Sequence, residues 1–290
     1  MATKRFSMVI DLQKCVGCGA CAMACKTENN TQARTRGQTF NWADFAIEAK
    51  GKFPDVKYVN RPVLCNHCDD PKCLEGCPEP RALYKTEDGI TMYNQRYCIQ
   101  CGKCYGANGC PYSSEDVEKE DAAYTVISFN DVGKETHAAH SDKSAAIKGG
   151  TCSAAEIAKK AGALPPSKHA YKYRDRQPPE EGQKSRGKGK LADVREDGWV
   201  EKCTFCIHRV RNGEDPYCVV SCPAKARIFG DRNDPDSEVS KLLKKYKPSR
   251  LKNNKGDILA DGEKGTGPNV LYIRDWYRSN VDACGPWSMV

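Results

Sequence analysis

No stretch of the 290-residue chain holds the roughly 18 consecutive apolar residues that a membrane-spanning helix needs. The opening residues, Met1 to Ile10, run into Asp11 without the apolar region of a secretory signal. These two absences point to a soluble chain with no membrane span of its own, exported only if a bound partner carries the signal. Apolar residues are scarce throughout: they make up 39% of the chain, aromatic residues 8%, and the mean hydropathy is -0.70. The length suggests about two domains, and that apolar content is thin for two cores. Also missing are a Gly-rich nucleotide loop after a strand, a nucleophile elbow and a convincing acid-base pair. The sequence shows no catalytic residues.

What the chain does have is 18 cysteines. A disulfide scaffold is normally a much shorter secreted chain, and here sixteen of the cysteines fall into four groups at metal-ligand spacing. The first group is Cys15, Cys18, Cys21 and Cys25; the second is Cys65, Cys68, Cys73 and Cys77. The third is Cys98, Cys101, Cys104 and Cys110; the fourth is Cys203, Cys206, Cys218 and Cys222. The last three groups each end in Cys-Pro. Thiolates around metal can replace apolar burial as the contact that organises a fold.

The first group has the spacing of a bacterial ferredoxin, in which three thiolates wrap one [4Fe-4S] cluster and the fourth reaches a neighbouring cluster. Gly17, Gly19 and Ala20 leave room for backbone N-H groups to turn toward sulfur. Zinc is the main rival reading. A zinc site usually sets two Cys-x-x-Cys pairs apart by a spacer, and only the fourth group, with 11 residues between Cys206 and Cys218, has that form. Four clusters on sixteen thiolates leave no open iron for a substrate, so the expected role is one-electron transfer.

Lys plus Arg exceeds Asp plus Glu by 8, which taken alone would suggest a nucleic-acid partner. Sixteen thiolates and four oxidised cores of about +2 each would bring the chain close to neutral. The basic excess then compensates clusters, and no nucleic-acid partner is expected.

Only 20 residues separate Cys77 from Cys98, short enough for groups two and three to form one compact two-cluster unit. Groups one and four are left to pair across the chain. The expected sets are Cys15, Cys18, Cys21 with Cys222 (cluster A); Cys25 with Cys203, Cys206, Cys218 (cluster B); Cys65, Cys68, Cys73 with Cys110 (cluster C); and Cys77 with Cys98, Cys101, Cys104 (cluster D). The expected fold class is α+β. Two interleaved ferredoxin-like units, an outer one over 1–60 and 199–235 and an inner one over 61–112, carry a surface insertion over 113–198 and a C-terminal extension over 236–290.

Phe6 to Ile10 reads as a strand before the first cluster loop, Ile90 to Met92 as its counterpart before the third, and short helices are expected after Cys21, Cys73 and Cys104. The insertion holds the acidic run Glu115 to Asp121, a short helix expected over Ala154 to Ala161, and a Pro, Gly and Lys-rich stretch from Pro165 to Lys190. It lacks the apolar content for a core, and it reads either as a solvated excursion or as an arm that orders on a partner. Lys241 to Lys255 has seven basic and no acidic residues, with Leu242, Leu243 and Tyr246 on one helical face. That face either lies in solvent or docks on a partner or lipid surface. Tyr272, Trp276, Tyr277 and Trp287 make the tail from Val270 to Val290 apolar enough to pack on the body or a partner. Cys152 and Cys284 fit no group and read as free thiols; His67 and His208, beside ligand positions, read as surface or supporting residues.

Several stretches carry a family resemblance. Ile10-Asp11-Leu12-Gln13-Lys14-Cys15-Val16-Gly17-Cys18, Cys65-Asn66-His67-Cys68, Cys203-Thr204-Phe205-Cys206 and the order of the four groups resemble the iron-sulfur subunit of the dimethyl-sulfoxide reductase family of molybdopterin oxidoreductases. The likeness covers residues 5–112 and 199–277. Cys25-Lys26-Thr27-Glu28-Asn29-Asn30 and Gly267-Pro268-Asn269-Val270-Leu271-Tyr272-Ile273-Arg274 are similar to respiratory arsenate reductases, with polysulfide and thiosulfate reductases next.

The resemblance implies an electron-transfer subunit with four [4Fe-4S] clusters, between a large catalytic subunit with a molybdenum bis-pterin cofactor and a membrane quinone-binding subunit or a cytochrome. It places the unit of groups one and four toward the catalytic subunit. It also implies a periplasmic, membrane-associated complex exported with the catalytic subunit, the cytoplasmic face being the alternative. Two features depart from the family: the long insertion, and the five residues, in place of three, between Cys104 and Cys110. If that loop failed to deliver Cys110, its cluster would be [3Fe-4S] or take another ligand. Two other classes are a cluster-bearing subunit that acts on substrate itself, and a colourless zinc-stabilised scaffold whose nucleic-acid affinity would fall steeply with salt.

Overall fold

The computed structural model describes residues 3–29, 42–94, 97–105, 109–113, 126–129, 200–253, 258–259 and 265–275. Strand β1 (Phe6–Asp11) is the centre of a three-stranded sheet. On one side it pairs antiparallel with β8 (Arg227–Asp231), Val9 opposite Ile228; on the other it pairs parallel with β9 (Val270–Ile273), Met8 opposite Val270. Residues more than two hundred positions apart thus share one sheet beside the first cysteine group.

Side chains alternate across a strand, and β1 uses both faces. Met8 and Ile10 enter a core that also holds Leu64, Met92, Tyr272 and cysteines of all four groups. Val9 joins Ile228, Val239 and Ile273 in a second, smaller core. Helix α5 (Glu238–Lys245) covers that second core with Val239, Leu242 and Leu243, and Tyr246 follows at its end. Ser237 caps the helix, its Oγ accepting the Ser240 N-H at 3.1 Å. The apolar face of the basic segment therefore lies on the chain's own sheet, not on a partner or a lipid surface, and the helix stops at Lys245.

Two hairpins complete the body: β2 (Ala43–Lys50) with β3 (Lys57–Leu64), and β4 (Leu83–Lys85) with β5 (Thr91–Tyr93). The strand expected at 90–92 is β5, and it pairs with β4 in a sheet separate from β1. Helix α1 (Ala20–Asn29) carries Cys21 and Cys25, and α2 (Lys72–Glu75) carries Cys73. After Cys104 the described residues form a turn where a helix was expected, and 106–108 lie outside the described residues. Short helices α3 (Ile207–Val210) and α4 (Tyr217–Val220) follow Cys206 and carry Cys218, and α4 packs against α1.

The insertion is described only at Ser113 and 126–129. Val126 and Ile127 are buried in the main core, and β6 (Ser128–Phe129) pairs with β7 (Val200–Glu201), so the two ends of the excursion meet at the body. The acidic run, the helix expected at 154–161, the 165–190 stretch, Cys152, Cys284, Trp276, Tyr277 and Trp287 lie outside the described residues.

Candidate cluster sites

The four cysteine groups share one backbone feature. The second residue after the leading cysteine is left-handed in every case: Gly17 at φ 66°, His67 at 43°, Gln100 at 61° and Phe205 at 51°. That turn aims backbone N-H groups at sulfur. The His67 N-H reaches Cys65 Sγ at 3.5 Å, the Phe205 N-H reaches Cys203 Sγ at 3.4 Å, and the Gly17 N-H bonds to Cys15. The Ala226 N-H reaches Cys222 Sγ at 3.3 Å. Asn29 Nδ2 lies 3.5 Å from Cys25 Sγ and 3.9 Å from Cys206 Sγ. Gly17 has a steric reason as well, since a Cβ there would stand 2.4 Å from Asn60 Nδ2. The sequence drew attention only to glycines; that His67, Gln100 and Phe205 adopt the same strained conformation leaves no mark in their residue types.

The sulfurs act on one another within and between the four groups. Cys15, Cys18, Cys21 and Cys222 line one cleft with Ile10, Phe45, Pro62 and Arg227. Burial raises the Cys15 thiol, and Cys21 and Cys222 push it further. Cys25 is pushed up to about 12 by burial and by Cys218, while burial, Cys218 and Cys25 hold Cys206 well above the ordinary thiol value. Cys203 is raised by burial and by Cys25, with Cys65 next. Burial raises Cys68 and Cys73, reinforced by Cys65 and Cys110. Cys104 is raised by burial, then by Cys98, Cys77 and Cys101. Cys18 and Cys101 are exposed; Cys25, Cys65, Cys203 and Cys218 are buried.

The lengthened third group still brings Cys110 inward. The Cys110 N-H donates to the Cys104 carbonyl at 2.8 Å, and Gly109 makes the closure possible, because a Cβ there would meet the Cys104 carbonyl at 2.4 Å. Cys110 is buried, with its thiol pushed up to about 12 by burial and by Cys65.

Buried donors without protein acceptors stand beside these sulfurs. Asn66 Nδ2 and one Arg227 terminal nitrogen are buried and make no hydrogen bond. Another Arg227 nitrogen points at Met8 Sδ (3.7 Å) and Cys218 Sγ (3.9 Å). Burial works against the Arg227 charge, yet Cys21 and Cys218 raise its pKa. Sulfur-rich anionic groups would accept from such donors, so the residues present fit iron-sulfur clusters.

His67 and His208 are both buried, which corrects the surface option for them. His67 accepts the Thr91 N-H at Nδ1 (3.1 Å), and burial together with Lys202 and Lys85 holds its pKa well below the usual value. His208 Nε2 lies 2.6 Å from Glu28 Oε1.

The C-terminal segment is a clamp that the sequence did not reveal. Asn269 Nδ2 donates to the His67 carbonyl at 2.7 Å and to Asp69 at 2.5 Å, and the Asp69 and Asp70 N-H groups donate to the Gly267 and Thr266 carbonyls. Burial opposes the Asp69 charge, but hydrogen bonds from Arg5 and Asn269 and the nearby Arg232 hold its pKa below the usual carboxylate value. Arg274 grips Asp11 with both ends of its guanidinium, its Nε 2.8 Å from Oδ1. The Asp11 and Asn269-to-Arg274 stretches that carried the family likeness therefore meet in space.

Cysteine loops on this mixed helix-and-strand frame define a ferredoxin-like 4Fe-4S dicluster protein. A family model described as a 4Fe-4S dicluster domain matches residues 56–132 and 189–232, and one described as a 4Fe-4S binding domain matches residues 6–27. The chain is 40% identical over 272 residues to the arsenate respiratory reductase iron-sulfur subunit of Shewanella sp. (strain ANA-3), covering 94% of this chain and 97% of that one. It is 30% identical to a putative dimethyl sulfoxide reductase iron-sulfur subunit of Halobacterium salinarum, over 92% of this chain and 78% of that one. A tetrathionate reductase subunit of Salmonella typhimurium is 28% identical, over 93% and 72%. The chain belongs to the iron-sulfur electron-transfer subunits of the dimethyl-sulfoxide reductase family of molybdopterin oxidoreductases. These relatives are subunits of reductases. No helix among the described residues is long and apolar enough to cross a membrane.

Proposed function

We propose that the chain holds four [4Fe-4S] clusters on the cysteine sets A to D and carries single electrons to or from a molybdopterin subunit that reduces arsenate. The carrying observation is the row of sulfur neighbourhoods. That Cys21 and Cys218 both act on Arg227 supports a set A beside a set B, that Cys203 feels Cys65 supports B beside C, and Cys73 and Cys77, on and just after α2, would link C to D. On this reading exposed Cys18 belongs to the set at one end of the row and exposed Cys101 to the set at the other. Such a row has two open ends and a buried middle, the arrangement a relay between two partners needs.

Bound clusters supply one-electron chemistry. The chain's own residues exclude water from the middle of the row, aim N-H groups at the sulfurs and fix the order of the sites. In this reading groups one and four form an outer unit wrapped around an inner unit of groups two and three, as the pairing of β1 with β8 supports. The set A end faces the catalytic subunit; the set D end faces a membrane quinone-binding subunit or a cytochrome, in a periplasmic complex. Arsenate rests on the 40% identity to an arsenate reductase subunit along nearly the whole length.

The test is anaerobic reoxidation of the dithionite-reduced chain followed by visible absorbance. Arsenate should reoxidise it only in the complex with its catalytic partner. Reoxidation of the isolated chain by arsenate, or none in the complex, would sink the proposal.

A further inference from the structure

We infer that Lys202 is the fixed cation that raises the reduction potentials of the two middle clusters, those of sets B and C; this rests on the cluster sets proposed above. Lys202 immediately precedes Cys203, and its residue is only 1% exposed. Its ammonium donates to the Cys203 carbonyl at 2.9 Å and to the Thr91 carbonyl. Both acceptors are neutral, and none of the ion pairs among the described residues involves it. A buried ammonium with no countercharge is strongly destabilising. Clusters carrying net negative charge on both sides would supply the countercharge.

The position of Lys202 fits that role. Its acceptor Thr91 donates its own N-H to His67, and the His67 ring stacks on Phe205 with 3.7 Å between centroids. The His67 and Phe205 N-H groups each point at the leading sulfur of their own group, Cys65 and Cys203. Lys202 therefore sits on the packed bridge that joins group two to group four. Its charge also acts on Cys73 and Cys110 of set C.

The other charged group beside His67, Lys85, is engaged with the Asp69 carboxylate at 3.6 Å and with two carbonyls. The uncompensated positive charge on the bridge is that of Lys202. A cluster gains one negative charge on reduction, so a nearby cation favours the reduced form of both neighbours. At a separation of about 10 Å and an effective dielectric of about 20, a unit charge shifts such an equilibrium about tenfold. Raised potentials there would keep the buried middle of the row from becoming a barrier to electrons.

The test uses the full chain purified anaerobically with its catalytic partner, carrying Lys202→Met, Lys202→Gln or Lys202→Arg. Each complex is analysed for iron and sulfide and then titrated redox-metrically, with the reduced clusters followed by electron paramagnetic resonance. In the two neutral variants, two of the four cluster signals should move to lower potential, their reduced-to-oxidised ratio at a fixed potential falling about tenfold. The other two signals should stay in place, and Lys202→Arg should restore the wild-type values. Unmoved potentials at full iron content, an equal shift in Lys202→Arg, or loss of iron from both neutral variants would overturn the inference, the last by making Lys202 merely structural. A wild-type complex without about 16 iron atoms would overturn the cluster sets and this inference with them.

Discussion

Gly109 decides whether the lengthened third group works. Its backbone lies so close to the Cys104 carbonyl that a methyl group cannot fit, and the closure it allows delivers Cys110 beside Cys65, Cys68 and Cys73. Gly109→Ala should therefore cost about one iron per chain, or the whole of cluster C. The check is iron analysis together with the appearance of a three-iron resonance; a variant with wild-type iron and spectrum would show that the loop tolerates the side chain. A second expectation concerns protons. Iron binds thiolate, and burial, with Cys218 beside Cys25 and Cys65 beside Cys110, pushes these two thiols up from the ordinary 9.0 to about 12. An ordinary thiol is mostly ionised once the pH passes 9.0, whereas the thiolate fraction of these two keeps rising about tenfold per pH unit toward 12. Anaerobic cluster insertion, followed by visible absorbance, should keep accelerating above pH 9.0; a plateau there would contradict the burial of these sulfurs. The four cysteine groups were legible in the sequence because their spacing is local. The left-handed turns at His67, Gln100 and Phe205 were not, since the loop, and not the residue type, imposes them.

Helix α5 illustrates the same divide among the elements. The periodicity of Leu242, Leu243 and Tyr246 was visible, but the sequence could not say what covers that face, because the cover comes from Val9, Ile228 and Ile273 on three different strands. Val239 is fully buried in this small core. Val239→Ala should lower stability by about 2 kcal/mol and leave the cluster potentials unchanged, as chemical denaturation and a redox titration would show. A loss below about 0.5 kcal/mol would mean that the helix does not dock here. Strand β1 was predictable from its apolar run. Its partners β8 and β9 were not, as both pairings are long-range, and neither was the clamp of Thr266 to Asn269 on the second cysteine loop. The insertion boundary at 113 was drawn from polarity alone, and so did not show that Val126 and Ile127 return to the core.

At the scale of the whole molecule, a modest apolar content is organised around sulfur. Cysteines of all four groups lie in the main core beside Met8, Ile10 and Tyr272, and the buried cations Arg227 and Lys202 lack carboxylate partners among the described residues. Buried cations without carboxylate partners are costly in an empty fold and are compensated in one filled by anionic clusters. The most direct test is anaerobic analysis of iron, acid-labile sulfide and zinc per chain. The account predicts about 16 iron atoms with equal sulfide and no stoichiometric zinc. Stoichiometric zinc with iron near zero, once cluster loss during purification has been excluded, would contradict it.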